Sequence, residues 1–177
     1  MIPKTTALAC VASLLALSSA QAETVEIYLL DMLDNTQNGY CVDIAGGREA
    51  EANPADGLQG HTCYSPGGAL GLDQSFDRAR FAEGLLYMTE FDVCAEAESL
   101  TAGSALALAT CDASPAQSFL FSGEGTISPA SAPELCVTLG EETRSGRSDA
   151  NQIKVMSLEV CSAGLEAYQN WGVRTAE

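Results

Sequence analysis

Short runs in which apolar and polar residues alternate recur along the chain. They are separated by Gly, Pro, Asn and Asp, and no long helical period appears beyond the first 22 residues. This pattern predicts an all-β domain. Residues 25–30 read as a first strand, and residues 35–39 as a turn feeding Tyr40, Cys41 and Val42. Residues 48–57 are polar, carry Pro54 and end on Asp56-Gly57, the composition of a loop closing in a turn. Phe81, Leu85 and Tyr87 flank Glu83-Gly84 and predict a hairpin. Phe119-Leu120-Phe121 followed by Gly125-Thr126-Ile127-Ser128 predicts its counterpart. In residues 104–110 Leu alternates with Ala, which sets Leu106 and Leu108 on one face of a strand. Residues 153–160 form the corresponding strand further on, and the polar, charged residues 140–151 before it read as an exposed insertion.

The alternation belongs to a unit written three times. The first copy has Cys41-Val42-Asp43, then Gln59-Gly60-His61-Thr62-Cys63, then Asp73-Gln74-Ser75-Phe76. The second has Cys94-Ala95-Glu96, Leu108-Ala109-Thr110-Cys111 and Gln117-Ser118-Phe119. The third has Cys136-Val137-Thr138, Leu158-Glu159-Val160-Cys161 and Gln169-Asn170-Trp171. Gln74 precedes Cys94 by 20 positions and Gln117 precedes Cys136 by 19, so the connecting segments repeat as well. A fixed period of this length is the mark of a repeat architecture. The copies are bounded near 23–80, 81–125 and 126–177. Little chain remains after Trp171, so the third copy lacks a closing hairpin of its own. The strand at 25–30 is expected to pair with residues 170–173 and close the sheet, which removes exposed edges.

Composition adds compartment and partners. Lys4, an apolar run from Ala7 to Leu17, and Ala20-Gln21-Ala22 have the layout of a cleaved signal peptide over residues 1–22, giving a mature start at Glu23 and an exported, periplasmic or secreted, protein. The apolar run is too short to span a membrane. Cys10 falls within the leader, and the other six cysteines form an even set suited to an oxidising compartment. One pair per copy gives Cys41–Cys63, Cys94–Cys111 and Cys136–Cys161. No Cys-x-x-Cys occurs and His61 is the only histidine, which disfavours a cysteine-rich metal site. With 24 acidic and eight basic residues the net charge is −16, a surface that repels nucleic acid and anionic membranes.

In its Cys-x-Asp opening, strand-ending cysteines, three Gln-x-Phe/Trp triplets and Gly125-Thr126-Ile127, the chain resembles the ricin-B-type (R-type) lectin family. That family has a β-trefoil of three homologous subdomains. The resemblance covers the mature chain, residues 23–177, and implies an all-β β-trefoil with three pseudo-symmetric subdomains and one internal disulfide in each. Phe76, Phe119 and Trp171 would be core aromatics where the copies meet, and the paired glutamines scaffold at the strand corners. The family holds sugar in a shallow pocket on each competent subdomain. A carboxylate after the first Cys accepts from ring hydroxyls, an aromatic two residues before the second Cys stacks on the sugar, and a polar residue before the Gln completes the set. Copy one matches best, with Asp43, Gln59, His61, Asp73 and Gln74 as carbohydrate-binding residues. A charged acceptor suits hydroxyl donors. His61 stands where Trp or Tyr is usual, and Asp73 where Asn is. Two close carboxylates repel unless one is protonated or a cation separates them, which raises calcium between Asp43 and Asp73; the site is nonetheless read as metal-free and the protein as needing no cofactor. Copies two and three carry Glu96, Ala109 and Ala116, then Thr138, Glu159 and Tyr168, and read as lacking a competent pocket.

No Gly-x-Ser-x-Gly surrounds any serine, and the chain is so rich in acids that carboxylate pairs arise by chance, so the protein is read as a non-enzyme. The function implied is that of an exported carbohydrate-binding protein taking galactose-type or related glycans through copy one. The alternative is a β-trefoil without sugar binding that serves protein–protein contact as an accessory or toxin-delivery subunit.

Overall fold

The computed structural model describes residues 23–175; the signal peptide read over residues 1–22 lies outside them. Copy one supplies four strands, copy two five and copy three six. Copy one has β1 (Thr24–Leu29), β2 (Tyr40–Ile44), β3 (Leu58–Thr62) and β4 (Ser75–Asp77). Copy two has β5 (Tyr87–Met88), β6 (Val93–Ala97), β7 (Leu106–Ala109) and β8 (Phe119–Leu120), followed by the short linking strand β9 (Glu124–Gly125). Copy three has β10 (Ser128–Pro129), β11 (Leu135–Leu139), β12 (Arg144–Ser145), β13 (Gln152–Lys154), β14 (Met156–Val160) and β15 (Trp171–Arg174). No helix among the described residues is long and apolar enough to cross a membrane.

In every copy the middle strands form an antiparallel hairpin: β2 with β3, β6 with β7, and β11 with β14. Each hairpin is stapled by its own disulfide, Cys41–Cys63, Cys94–Cys111 or Cys136–Cys161, closing loops of 22, 17 and 25 residues. Loops of that length are worth about 3 kcal/mol each through the unfolded chain they restrict. The outer strands build the barrel. β1 pairs with β4, β8 with β10, and β1 with β15, where Leu29 faces Trp171 and Ile27 faces Val173. The first and last strands thus seal the sheet. Val25, Ile27 and Leu29 of β1 point inward with Phe76, Phe119 and Trp171, all at most 2 % exposed. The Trp171 indole N–H donates to the Val137 carbonyl at 3.0 Å, so its polar edge is satisfied inside.

Two expected elements differ. Residues 78–83 between β4 and β5 wind into a 3₁₀ turn instead of a hairpin around Glu83-Gly84. The Asp77 carboxylate caps the turn by accepting from Ala79 N–H, and Gly84, at φ 80°, ends it in the left-handed region. The run 153–160 is broken at Val155, which is 67 % exposed. β14 stays with its own copy, while β13 leaves it to pair with β3 of copy one, Ile153 opposite His61 and Lys154 opposite Gly60. β12 pairs with β13, so the insertion is exposed yet folded as a hairpin that widens the copy-one sheet.

Candidate functional site

The three glutamines of the Gln-x-aromatic triplets make one set of contacts, written three times. In copy one Gln74 Nε2 donates to Asp43 Oδ2 (3.0 Å) and to the Thr62 carbonyl (3.1 Å), while its Oε1 accepts from Tyr64 N–H (3.2 Å). In copy two Gln117 donates to Glu96 (2.9 Å) and the Thr110 carbonyl (3.0 Å) and accepts from Asp112 N–H (2.9 Å). In copy three Gln169 donates to Thr138 Oγ1 (2.9 Å) and the Val160 carbonyl (3.1 Å) and accepts from Ser162 N–H (3.0 Å). All three glutamines are at most 2 % exposed. Each amide therefore ties the strand that opens its hairpin to the corner that follows the second cysteine. The residue two after the first cysteine, whether Asp43, Glu96 or Thr138, is the acceptor for that tie.

Copy one adds to this scaffold. Residues two apart on a strand share a face, so Cys41 and Asp43 of β2 stand with Gln59 and His61 of β3. Asp43 lies directly opposite Gln59, whose Nε2 donates to Asp43 Oδ1 at 2.9 Å. Both carboxylate oxygens are therefore engaged by amides, and the side chain is 2 % exposed. Burial pushes the Asp43 carboxyl up to about 8 against the pull of the Gln59 and Gln74 donors, with Asp73 and Glu49 adding repulsion. Asp73 is 0 % exposed. Its Oδ2 accepts from Glu49 N–H at 2.9 Å, and its buried Oδ1 has no partner among the described residues. Burial raises its carboxyl too. Space for it comes from two glycines: a Cβ on Gly47 would lie 2.9 Å from Asp73 Oδ2, and one on Gly71 would lie 2.3 Å from the Tyr64 ring and 2.8 Å from Asp73 Oδ1.

Above these buried groups opens a cleft of about 370 Å³. It is lined by Gln59, His61 and Tyr64, by the loop carrying Arg48 and Glu49, and by Arg147 and Asn151 of the copy-three hairpin. His61 Nδ1 sits 2.9 Å from the Thr62 carbonyl, so it carries the proton and leaves Nε2 as an acceptor. Burial, with the Arg144 charge, lowers its pKa and keeps the ring neutral. The His61 and Tyr64 rings meet at 5.4 Å and 53°. The copy-three hairpin is anchored here: Arg144 donates to Gln59 Oε1 (3.2 Å), and Thr62 Oγ1 accepts from Gln152 N–H (2.9 Å) and donates to the Ala150 carbonyl (3.0 Å). Lys154, 2 % exposed, secures its base by donating to the Glu141 carbonyl (2.8 Å) and pairing with Asp34 (3.2 Å) over the Tyr40 ring.

The five residues expected at the site thus come together in two layers. Gln59 and His61 face the cleft; Asp43, Asp73 and Gln74 lie beneath it and do not line it. Sequence reasoning missed Arg48, Glu49, Tyr64, Arg147 and Asn151. Tyr64 alone had a local signal, an aromatic next to Cys63; the last two arrive from copy three. Copy two has Ala109 and copy three Glu159 in the place of His61. A larger concavity of about 960 Å³, along Phe81, Gly84, Phe119 and Glu124, involves none of these groups. As for metals, Glu26 approaches the sulfurs of Cys41 and Cys63, but these are bonded to each other and offer no thiolate.

No family model and no curated protein matches the sequence. Solved structures do. The agglutinin from Abrus precatorius superposes with a TM-score of 0.56 at 14 % identity over 86 % of this chain, which spans 46 % of the agglutinin chain. The C-half of an earthworm R-type lectin, in complex with GalNAc, gives 0.53 at 17 % over 85 % of this chain and 97 % of its own. A designed threefold symmetric protein, ThreeFoil, gives 0.54 at 12 % over 85 % and 96 %. The likeness extends over nearly all of the described chain and fixes the class: this is a β-trefoil.

Proposed function

We propose that the protein is an exported carbohydrate-binding β-trefoil of the R-type lectin kind, spanning residues 23–177 after loss of its leader, that takes a galactose-type or related glycan into the cleft over copy one. The observation that carries this reading is that the Gln59 amide and the adjoining His61 and Tyr64 rings all line that cleft. Amide and imidazole edges exchange hydrogen bonds with sugar hydroxyls, and the flat rings cover the apolar sugar face. Asp43 serves as a positioning residue: by accepting from Gln59 Nε2 it orients that amide, and by accepting from Gln74 it fixes the corner that carries Tyr64. An earthworm lectin of the same fold is seen with GalNAc, which supports the substrate class.

One site on one lobe means monovalent binding, with Kd of about 1 mM, or roughly 4 kcal/mol. Galactose titrated into the mature protein and followed by ¹H–¹⁵N NMR should shift the amides of residues 59–64. His61→Ala should weaken binding about tenfold. Saturating galactose with no shift in this segment, or an unchanged Kd in His61→Ala, sinks the proposal. The second reading, a trefoil used for protein contact, draws on Ala109 and Ala116, which leave copy two without ring or polar side chain at the matching positions. Stoichiometric co-purification of a protein from the native host, with no glycan retained, would favour it.

A further inference from the structure

The distribution of positive charge deepens the reading of this cleft and rests on it. Seven of the eight basic residues lie in the described region, all but Lys4. Four of them are paired: Arg78 with Glu23 (3.2 Å), Arg80 with Glu83 (3.1 Å), Lys154 with Asp34 (3.2 Å) and Arg174 with the buried Glu26. The other three, Arg48, Arg144 and Arg147, have no carboxylate partner among the described residues, although the chain carries 24 acids. All three belong to the cleft. Arg48 and Arg147 line it, and Arg144 holds its Gln59. In so acidic a protein three solvent-exposed guanidinium groups left unpaired around one cleft are a local reversal of sign.

The lining itself holds two arginines, Arg48 and Arg147, against one acid. Glu49 is the one acid in the lining, and its Oε2 is turned to the Leu72 N–H at 2.8 Å. Asp43 and Asp73 lie below, where burial favours their neutral forms. Guanidinium is the side chain best matched to a carboxylate, through two parallel N–H donors. We infer that the cleft selects an acidic saccharide, one bearing a carboxylate on the ring or on a terminal residue, with Arg147 and Arg48 receiving that carboxylate while Gln59, His61 and Tyr64 hold the neutral part of the sugar.

Two probe pairs test this by calorimetry or NMR: galactose against galacturonate, and lactose against 6′-sialyllactose. In at least one pair the acidic member should bind about tenfold tighter at low salt, with the advantage shrinking as NaCl approaches 0.5 M. Arg147→Ala and Arg48→Ala, both at exposed positions, should each lower affinity for the acidic member severalfold. Arg78→Ala, which changes the net charge by the same amount far from the cleft, should leave that affinity unaltered. Equal or tighter binding of the neutral member in both pairs overturns the inference and leaves the sugar-binding reading standing. An equal loss in Arg78→Ala and Arg147→Ala also overturns it, since the effect would then be one of overall charge. Failure of all four saccharides to bind brings down both.

Discussion

The carboxyl of Asp43 makes the most direct test of the two-layer site. It is held at about 8, against an ordinary value of 3.8. Between those values the unfolded chain has lost the proton and the folded protein keeps it, so stability falls as pH rises. The contribution is fully present below pH 3.8 and is lost as pH passes through about 8. At 1.36 kcal/mol per unit, the change between pH 5 and pH 8 is about 4 kcal/mol, or roughly 10 °C in Tm for a domain of this size. Asp43→Asn removes the titration. Its amide keeps one acceptor oxygen but sets a donor against either Gln59 or Gln74, neither of which can turn over: Gln59 Oε1 already accepts from Arg144 and Gln74 Oε1 from Tyr64 N–H. A pH-independent penalty of about 1–3 kcal/mol follows. Urea unfolding at pH 5, 6, 7 and 8, read by the fluorescence of Trp171, the chain's single tryptophan and fully buried, gives both slopes. Acids away from the cleft contribute alike to the two proteins, so the difference in slope reports Asp43 together with its coupling to Asp73 and Glu49. Parallel slopes would mean that Asp43 ionises as an exposed acid does, and its place under the cleft would have to be abandoned.

Three other outcomes follow from the same contacts. Gln117→Ala deletes three hydrogen bonds in a fully buried corner and should cost about 3 kcal/mol, with Gln169→Ala similar; a loss below 1 kcal/mol in urea would deny the glutamines their structural part. Reduction of the three disulfides should lower stability by several kcal/mol, since each closes 17 to 25 residues; an unchanged urea midpoint in reductant contradicts this. Lys154→Met should free the copy-three hairpin, speeding hydrogen exchange at the Ile153 amide at least tenfold while Val137 in the adjoining hairpin stays protected; equal protection at Ile153 in both proteins would show that strand pairing alone holds it.

The threefold body was legible because its determinants are local and repeated. Cys, Gln and aromatic recur at nearly constant spacing, and each trio closes on itself, as the identical contacts of Gln74, Gln117 and Gln169 show. The closing strand was expected as well, and β1 does pair with β15, Leu29 opposite Trp171. The hairpin imagined around Glu83-Gly84 failed where the Asp77 cap offered the backbone a tighter local alternative. At the site, the order of residues in copy one carried no sign of their depth. Asp43 is submerged under the Gln59 and Gln74 amides and Asp73 under the loop of Gly47 and Glu49, while Gln59 is held in turn by Arg144 from 85 positions away. A pattern confined to one copy carries no sign of a neighbour's insertion leaning over it, so Arg147 and Asn151 stayed hidden.

The seam between β1 and β15 places Glu26 beside Arg174, so the two ends of the folded body run next to each other. A ring has no natural starting point. The ends could be spliced through a short flexible bridge and the chain reopened at the exposed Glu90, in the turn between β5 and β6, to give a permuted polypeptide with the same three lobes. For the same reason a cargo domain fused to either end would emerge from one spot on the molecule's surface, whichever end is chosen.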